Sequence, residues 1–453
     1  MTQLFSDLRN RYPRFIFRQY QFHQTTDTLH VTYRFEIEAL SDFTVNWEFP
    51  LPEQFASLEH NTTLERLVFS LGMVELISYW KLTCSPEVLV EAGALNSRQI
   101  QWWKDLYFNG LGEFFYKNNI STDMDSFMNL SAPRQTEAEH FCTLEQPLGA
   151  LIPIGGGKDS IVTLQLLRDS KEYNSCYIIN PRGATLSTCE TGGYQGQTLI
   201  AKRSLDPAML ELNKKGFLNG HTPFSAIVAF SSVLTAYLHN LNYVVLSNES
   251  SANESTIKDS SVNHQFSKSA SFEHSFHDYE AEYIRSGVSY FSLLRPLNEL
   301  QIARYFSTLT EFHPVFRSCN AGSKTDSWCC NCPKCLFVYI ILSPFLSQEA
   351  LTQIFGENLL DKDALMPYFE QLIGVQEEKP FECVGSRDEV NAAIRMTIKR
   401  LEQLWLPLPS LLGYYKTLTP VGAIPPADSF LTHFDHDNLL PDYYRALLID
   451  NCF

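Results

Sequence analysis

The sequence predicts an α/β fold, a doubly wound parallel sheet, with an N-terminal α+β domain before it and a mostly helical region after it. Three observations predict this. An apolar strand at residues 150–154 runs through Gly155, Gly156 and Gly157 straight into a helical pattern that opens with Lys158, Asp159 and Ser160. Further apolar segments at 176–179, 243–246 and 291–294 alternate with helical ones at 161–168 and 222–241, the grammar of parallel strands joined by crossover helices. Upstream of residue 129 the hydrophobic period is different.

In chain order, the first fifteen residues mix Asp7, Arg9 and Arg11 among apolar side chains and lack the apolar core of a secretory signal. Leu29, Val31, Tyr33, Phe35 and Ile37 then alternate with polar residues, the period of a half-buried strand. Val45, Trp47 and Phe49 repeat that period after a turn expected at Ser41-Asp42. With Phe15, Phe17 and Tyr20 ahead of them, these residues predict an antiparallel meander. Helices are expected at about 60–81, carrying Leu64, Leu67, Val68 and Leu71, and at 98–118, carrying Leu106, Leu111, Phe114 and Phe115. Glu75 and Lys81 are placed on the wet side of the first of these.

The run 129–147 holds two prolines and several polar residues, so a boundary is placed there. The expected domains are 1–145, an α+β unit; 146–345, the parallel α/β unit; and 346–453, mostly helical with Pro-rich breaks at 406–409 and 420–426. The Ser-rich stretch 250–275 reads as a long polar insertion after a core strand, where substrate lids are often found.

Composition narrows the function. A chain of 453 residues with 44% apolar residues can build two or three cores. Its formal charge of −16 argues against a nucleic-acid substrate, because tracking phosphates needs a basic face. The longest apolar run, 335–342, ends before Pro344 and is far too short to span a bilayer. A cytoplasmic protein without stable membrane association is expected. Its eleven cysteines then read as thiols or metal ligands, not as a disulfide framework.

The glycine turn carries the chemistry. Glycines let backbone N–H groups close on an anion, the helix terminus adds partial positive charge, Lys158 adds a full one and Ser160 a hydroxyl. A chance glycine triplet in a turn is the competing reading; the strand before it and the helix after it outweigh that. After the strand at 243–246 come Asn248, Glu249, Asn253 and Glu254, placed to hold Mg²⁺ on phosphates or to fix ribose and acceptor groups, against the alternative of a solvated turn. Arg182, just beyond another strand, suits phosphate or carboxylate and equally an ordinary surface. His221, before a helix with Thr222 as its expected cap and Pro223 in its first turn, and Cys383, before Gly385 and an acidic helix start, are the candidate proton-transfer groups; packing roles compete in both cases. Cys319, Cys329, Cys332 and Cys335 have the spacing of a four-thiolate zinc site, with Cys330 as an extra thiol and buried reduced cysteines as the alternative.

The loop lacks Walker spacing and resembles the Ser-Gly-Gly-x-Asp-Ser loop of the PP-loop ATP pyrophosphatases, with Gly155 where that superfamily usually has Ser. The resemblance implies a PP-loop fold for 146–345, binding of ATP with Mg²⁺, and cleavage to AMP and diphosphate. Taken with the 248–253 segment, the 328–337 stretch around Cys-Pro-Lys-Cys and the 379–389 piece, the chain resembles the MurL family of UDP-N-acetylmuramoyl-L-alanyl-L-glutamate epimerases. That likeness implies a UDP-MurNAc-dipeptide substrate, inversion at its terminal glutamate and a place in peptidoglycan precursor synthesis. It gives Gly155, Gly156, Gly157 and Ser160 to phosphate binding, Lys158 to charge neutralisation as diphosphate leaves, and Asp159 to organising metal or loop. Another adenylating PP-loop enzyme (an amidase, a thiolase or a 7-cyano-7-deazaguanine synthase-like enzyme) and an ATP-binding module without turnover remain the alternatives.

Overall fold

The computed structural model describes residues 3–53, 61–133, 148–418 and 425–452. Its strands are β1 (Arg14–Gln24), β2 (Thr28–Ile37), β3 (Ser41–Pro50), β4 (Glu87–Val90), β5 (Asn129–Ser131), β6 (Ala150–Pro153), β7 (Ser175–Ile179), β8 (Thr198–Ser204), β9 (Tyr243–Leu246) and β10 (Ser289–Ser292). The chain divides into two compact units, the first made of Met1–Leu151, Leu199–Val244 and Ser261–Tyr290, the second of Ile152–Thr198, Val245–Ser260 and Phe291–Phe453. No helix among the described residues is long and apolar enough to cross a membrane.

In the first unit, β1, β2 and β3 form the antiparallel meander that alternation predicts, with Val31 opposite Trp47 and Tyr33 opposite Val45. Leu29, Val31, Tyr33, Phe35 and Ile37 are buried, as their period requires. The reversal comes earlier than expected: Ala39 takes the left-handed backbone of the turn (φ 61°), and Ser41 and Asp42 already belong to β3. Strand β8 adds antiparallel to β3, and β4 and β5 extend the other edge in parallel with β1.

The helix Thr62–Trp80 starts at Asn61, whose side chain accepts from the Leu64 N–H at 2.9 Å. It is buried almost all round, which overturns the wet-side placement of two charges. Glu75 is 0% exposed and takes two 2.6 Å hydrogen bonds from Arg203 and one of 2.8 Å from the Trp47 indole. Lys81 is buried too, donating to the Gly220 carbonyl (2.5 Å) and to Thr222 Oγ1 (2.8 Å). The inward Arg203 explains why β8 escapes a hydrophobic reading of Thr198–Ser204. The second expected helix breaks at Leu111 into Ser97–Gly110 and Gly112–Lys117.

The second unit takes the carboxyl ends of β6, β9 and β10 and all of β7, in the order β10, β9, β6, β7. The β6–β9 pairing is parallel. Ligands in such sheets sit beyond the carboxyl ends of strands. Its helices include Lys158–Leu166, Gly183–Thr191, Glu299–Ser307 and Pro333–Leu342, and from Gln348 onward the described chain is mostly helical, as predicted. The stretch 250–275 is not one long polar loop: it holds the 3-10 turns Ser250–Asn253 and Phe266–Lys268 and the start of the helix Ala270–Tyr279, with Ser251, Thr256, Gln265 and Ser269 buried. Most of the boundary run expected at 129–147 lies outside the described residues, as does most of the 420–426 break.

Candidate functional site

All three glycines of the turn after β6 lie in the second unit, and their environments differ. Gly156 has φ +79°, and a side chain there would come within 3.1 Å of Ala184. Both facts call for glycine. At Gly157 a Cβ would stand 2.7 Å from Ser318 Oγ, whereas at Gly155 it would meet nothing within 4 Å. Position 155 is thus open to solvent. Gly157 begins the helix Lys158–Leu166 without a side-chain cap, so the first N–H groups of the helix can receive an anion. Ser160, expected as a hydroxyl donor to phosphate, is buried and donates to the Gly157 carbonyl at 3.0 Å.

Lys158 is not a free surface cation. It lies 2% exposed and is ion-paired to Asp159 and to Glu299, the first residue of the helix Glu299–Ser307. Burial disfavours its charge, but the two carboxylates outweigh burial and hold the ammonium above the usual lysine range. On Glu299 the balance reverses. Burial pushes its carboxyl up to about 8, against the pull of Lys158 and with the negative charges of Asp159 and Glu249 adding to the rise. Several acids thus face one buried ammonium, and burial favours the protonated form of Glu299.

A further acid holds Glu299 in place. Glu389 Oε1 accepts the Glu299 backbone N–H at 2.7 Å, and its Oε2 accepts both the N–H and the hydroxyl of Ser386 at 2.6 Å. Burial raises the Glu389 carboxyl as well. Gly385 passes so close that a Cβ would lie 2.9 Å from Glu299 Cγ. The segment containing Cys383, which is half-buried, is thereby brought to the same acid cluster.

Of the pair of Asn-Glu units after β9, the first points inward. Asn248 donates to Ser292 Oγ (3.0 Å) and Glu249 is 5% exposed, its carbonyl accepting from the fully buried Arg295 (2.7 Å). The second turns elsewhere: Asn253 is exposed, and Glu254 is ion-paired to the buried Lys379, with Arg387 at 3.5 Å. Arg182 is exposed just past β7, at the start of the helix Gly183–Thr191.

His221 belongs to the first unit. Its Nδ1 is 3.4 Å from Glu113 Oε2, which also lies 2.6 Å from His264 Nδ1. Burial, joined by His264 and Lys81, pulls His221 down to about 4, so it is neutral at neutral pH. Thr222 does not cap the following helix, which runs Phe224–Leu238 with Pro223 at its start; the hydroxyl receives Lys81 instead.

Cys319, Cys329, Cys332 and Cys335 bring their four sulfurs within 4.8 Å of one another. The hydrogen bond between the two sulfurs pulls Cys332 down to about 5 and pushes Cys335 up. Cys330, which blurred the spacing, stands apart with φ 52° and donates to the Phe355 carbonyl at 3.0 Å.

Sequence reading missed Glu299, Glu389 and Arg295. One signal was present: Asn298-Glu299 is a third Asn-Glu unit, again following a strand of the same sheet.

With this geometry in place, comparisons with known proteins agree along the chain. A family model described as the MurL N-terminal domain matches residues 6–293, and one described as the MurL C-terminal domain matches residues 315–409. Among curated proteins, a UDP-N-acetyl-alpha-D-muramoyl-L-alanyl-L-glutamate epimerase of a Micromonospora species is 33% identical over 89% of this chain and 91% of its own. Proteins of the same name from Salinispora tropica and Xanthomonas oryzae pv. oryzae are 36% and 34% identical, over 78% and 75% of this chain and 78% and 76% of theirs.

Proposed function

The chain belongs to the MurL family, and on that premise we propose that it is an epimerase of peptidoglycan precursor synthesis. It inverts the terminal L-Glu of UDP-MurNAc-L-Ala-L-Glu, with ATP consumed to form an acyl-adenylate on a PP-loop fold. The observation that carries the ATP part is the buried Lys158 at an uncapped helix start behind three glycines, one of them open to solvent. That arrangement suits a polyphosphate whose leaving group needs charge neutralised as it departs.

The chemistry explains why an epimerase would need adenylation. A carboxylate places negative charge beside the C–H bond to be broken, and removing that proton would set a second charge next to the first. Attack of the substrate's α-carboxylate oxygen on the α-phosphorus of ATP forms the mixed anhydride and expels diphosphate. The resulting acyl group can delocalise the carbanion, so a base can take the α-proton and an acid can return one to the opposite face. Water then cleaves the anhydride to give AMP and the D-glutamyl product. Loss of the adenylate makes a near-balanced inversion directional. Activation of the γ-carboxylate would acidify the α-carbon far less.

In this reading Gly155, Gly156 and Gly157 present backbone donors to phosphate, Lys158 offsets charge on departing diphosphate, and Asp159 and Glu299 hold the lysine. Glu249 and Asp159, both of which act on Glu299, would supply carboxylates for Mg²⁺, an ion that would neutralise the phosphates when bound. Cys383 is favoured as a proton carrier by its tie through Gly385 to Glu299, and neutral His221 remains the other candidate. A nucleotide-linked substrate fits a cytoplasmic enzyme.

The test is incubation of the protein with ATP, Mg²⁺ and UDP-MurNAc-L-Ala-L-Glu in D₂O. Deuterium at the glutamate α-carbon, D-Glu and stoichiometric AMP are expected. AMP without deuterium would mark a different adenylating enzyme, and bound ATP without diphosphate a module that does not turn over.

A further inference from the structure

We propose that Cys319, Cys329, Cys332 and Cys335 bind one zinc ion, and that this ion fastens the segment 317–335 against the glycine turn. The sulfur spacing carries the first half. A tetrahedral zinc with Zn–S bonds of about 2.3 Å has sulfur–sulfur edges of about 3.8 Å. The structure has Cys332–Cys335 at 3.5 Å, Cys329–Cys335 at 3.7 Å and Cys319–Cys332 at 3.9 Å. These separations are far too long for disulfides, which need about 2.05 Å, and all four thiols are free.

The surroundings are those of a built thiolate site. The Gly322 N–H donates to Cys319 Sγ at 3.2 Å, and the Cys335 N–H to Cys332 Sγ at 3.5 Å. Cys332 is the cap of the helix Pro333–Leu342, so the partial positive charge of that terminus faces its sulfur. The left-handed backbone at Cys330 sends that side chain to Phe355, away from its neighbour's sulfur, and Lys362 donates to the Cys330 carbonyl at 3.0 Å. Four sulfurs converge and the fifth is turned aside.

The second half follows from what flanks the sulfurs. Immediately before Cys319, the Arg317 N–H donates to the Gly156 carbonyl at 2.8 Å and Ser318 stands against Gly157. Between Cys319 and Cys329, Asp326 Oδ1 accepts the Ala184 N–H at 2.7 Å, capping the helix whose first residues pack on Gly156. Thus one loop, closed at its base by the four sulfurs, touches the glycine turn directly and again through the helix beside it. Zinc here has a structural role: it supplies no open position, since all four ligands are protein sulfurs.

The test needs no nucleotide, so its outcome is separate from that of the adenylation reading. Full-length protein should purify with one zinc per chain by elemental analysis. Exchange into Co²⁺ should give the sulfur-to-cobalt charge-transfer and intense visible bands of a tetrahedral thiolate site. Cys330→Ser should keep those bands and Cys332→Ser should lose or shift them; the wild-type spectrum stands as a test even if that second variant does not fold. Release of the metal should raise amide hydrogen exchange at least tenfold in peptides covering 155–160 and 183–185. Protein free of zinc that gives no charge-transfer band with Co²⁺, or a band lost equally in Cys330→Ser, overturns the metal site. Unchanged exchange at the glycine turn after metal release overturns the fastening.

Discussion

Lys158 and Glu299, 141 positions apart in the chain, form an ion pair in which both side chains are 3% exposed. The pair joins the helix after the glycine turn to the helix after β10, so the charge available at the turn depends on a residue far away in sequence. Removing either partner leaves the other buried.

Glu299 makes that charge depend on pH. Its carboxyl is pushed by burial to about 8 from an ordinary 4.5. Below about 8 it keeps its proton and leaves more of the Lys158 charge to an anion; above, it ionises and takes that charge up. Nucleotide affinity should therefore fall as pH rises from 7 to 9, and Glu299→Gln should flatten the dependence, as read by equilibrium binding. Stability has the same sign. A raised folded value means a contribution fully present below about 4.5 and lost as pH climbs to about 8. The wild-type unfolding midpoint should drop more between pH 6 and 9 than that of the Gln variant.

Two neighbouring glycines should respond in opposite ways to a side chain. Gly156→Ala places a Cβ at φ +79° and 3.1 Å from Ala184, which should destabilise by about 1–2 kcal/mol. Gly155→Ser meets nothing within 4 Å and should change stability by less than about 0.5 kcal/mol. Urea unfolding of the two variants checks the contrast.

Glu75 and Arg203, 0% and 10% exposed, are joined by two hydrogen bonds of 2.6 Å. Arg203→Met leaves a buried carboxylate without its cation and should cost about 3–5 kcal/mol, whereas Arg203→Met with Glu75→Met should recover much of the loss. The shift in urea midpoint decides whether the pair is needed for stability or only its matched removal.

Proton transfer and adenylation should separate on mutation. Cys383→Ala is expected to cut deuterium entry at the glutamate α-carbon by about 100-fold or more while diphosphate release with substrate persists. Lys158→Met should cut both, by about 100-fold. If deuterium entry survives in Cys383→Ala and falls in His221→Ala, the histidine is the proton carrier.

Much of the architecture was legible because its signals are local. Alternation at Leu29 to Ile37 marks a strand with one buried face wherever that strand pairs, and a glycine triplet between strand and helix marks a tight strand-to-helix turn without regard to the rest of the chain. β8 was illegible for the same reason: its inward Arg203 breaks the apolar period and makes sense only beside Glu75. The two Asn-Glu units after β9 looked equivalent, yet Glu249 is buried near the acid cluster while Glu254 is held by Lys379 and Arg387.

By itself the sequence determined the period of the meander strands, the glycine turn with its cation, and the number and spacing of the cysteines. Only the tertiary structure decided that Lys158 is paired with Glu299, that Glu389 orders Glu299, and that Cys330 stands outside the group of four. The physical reason is range. Backbone conformation and amphipathic period arise among residues a few positions apart, whereas the field at a buried charge is set by whichever distant segments close around it, and no local pattern records which those will be.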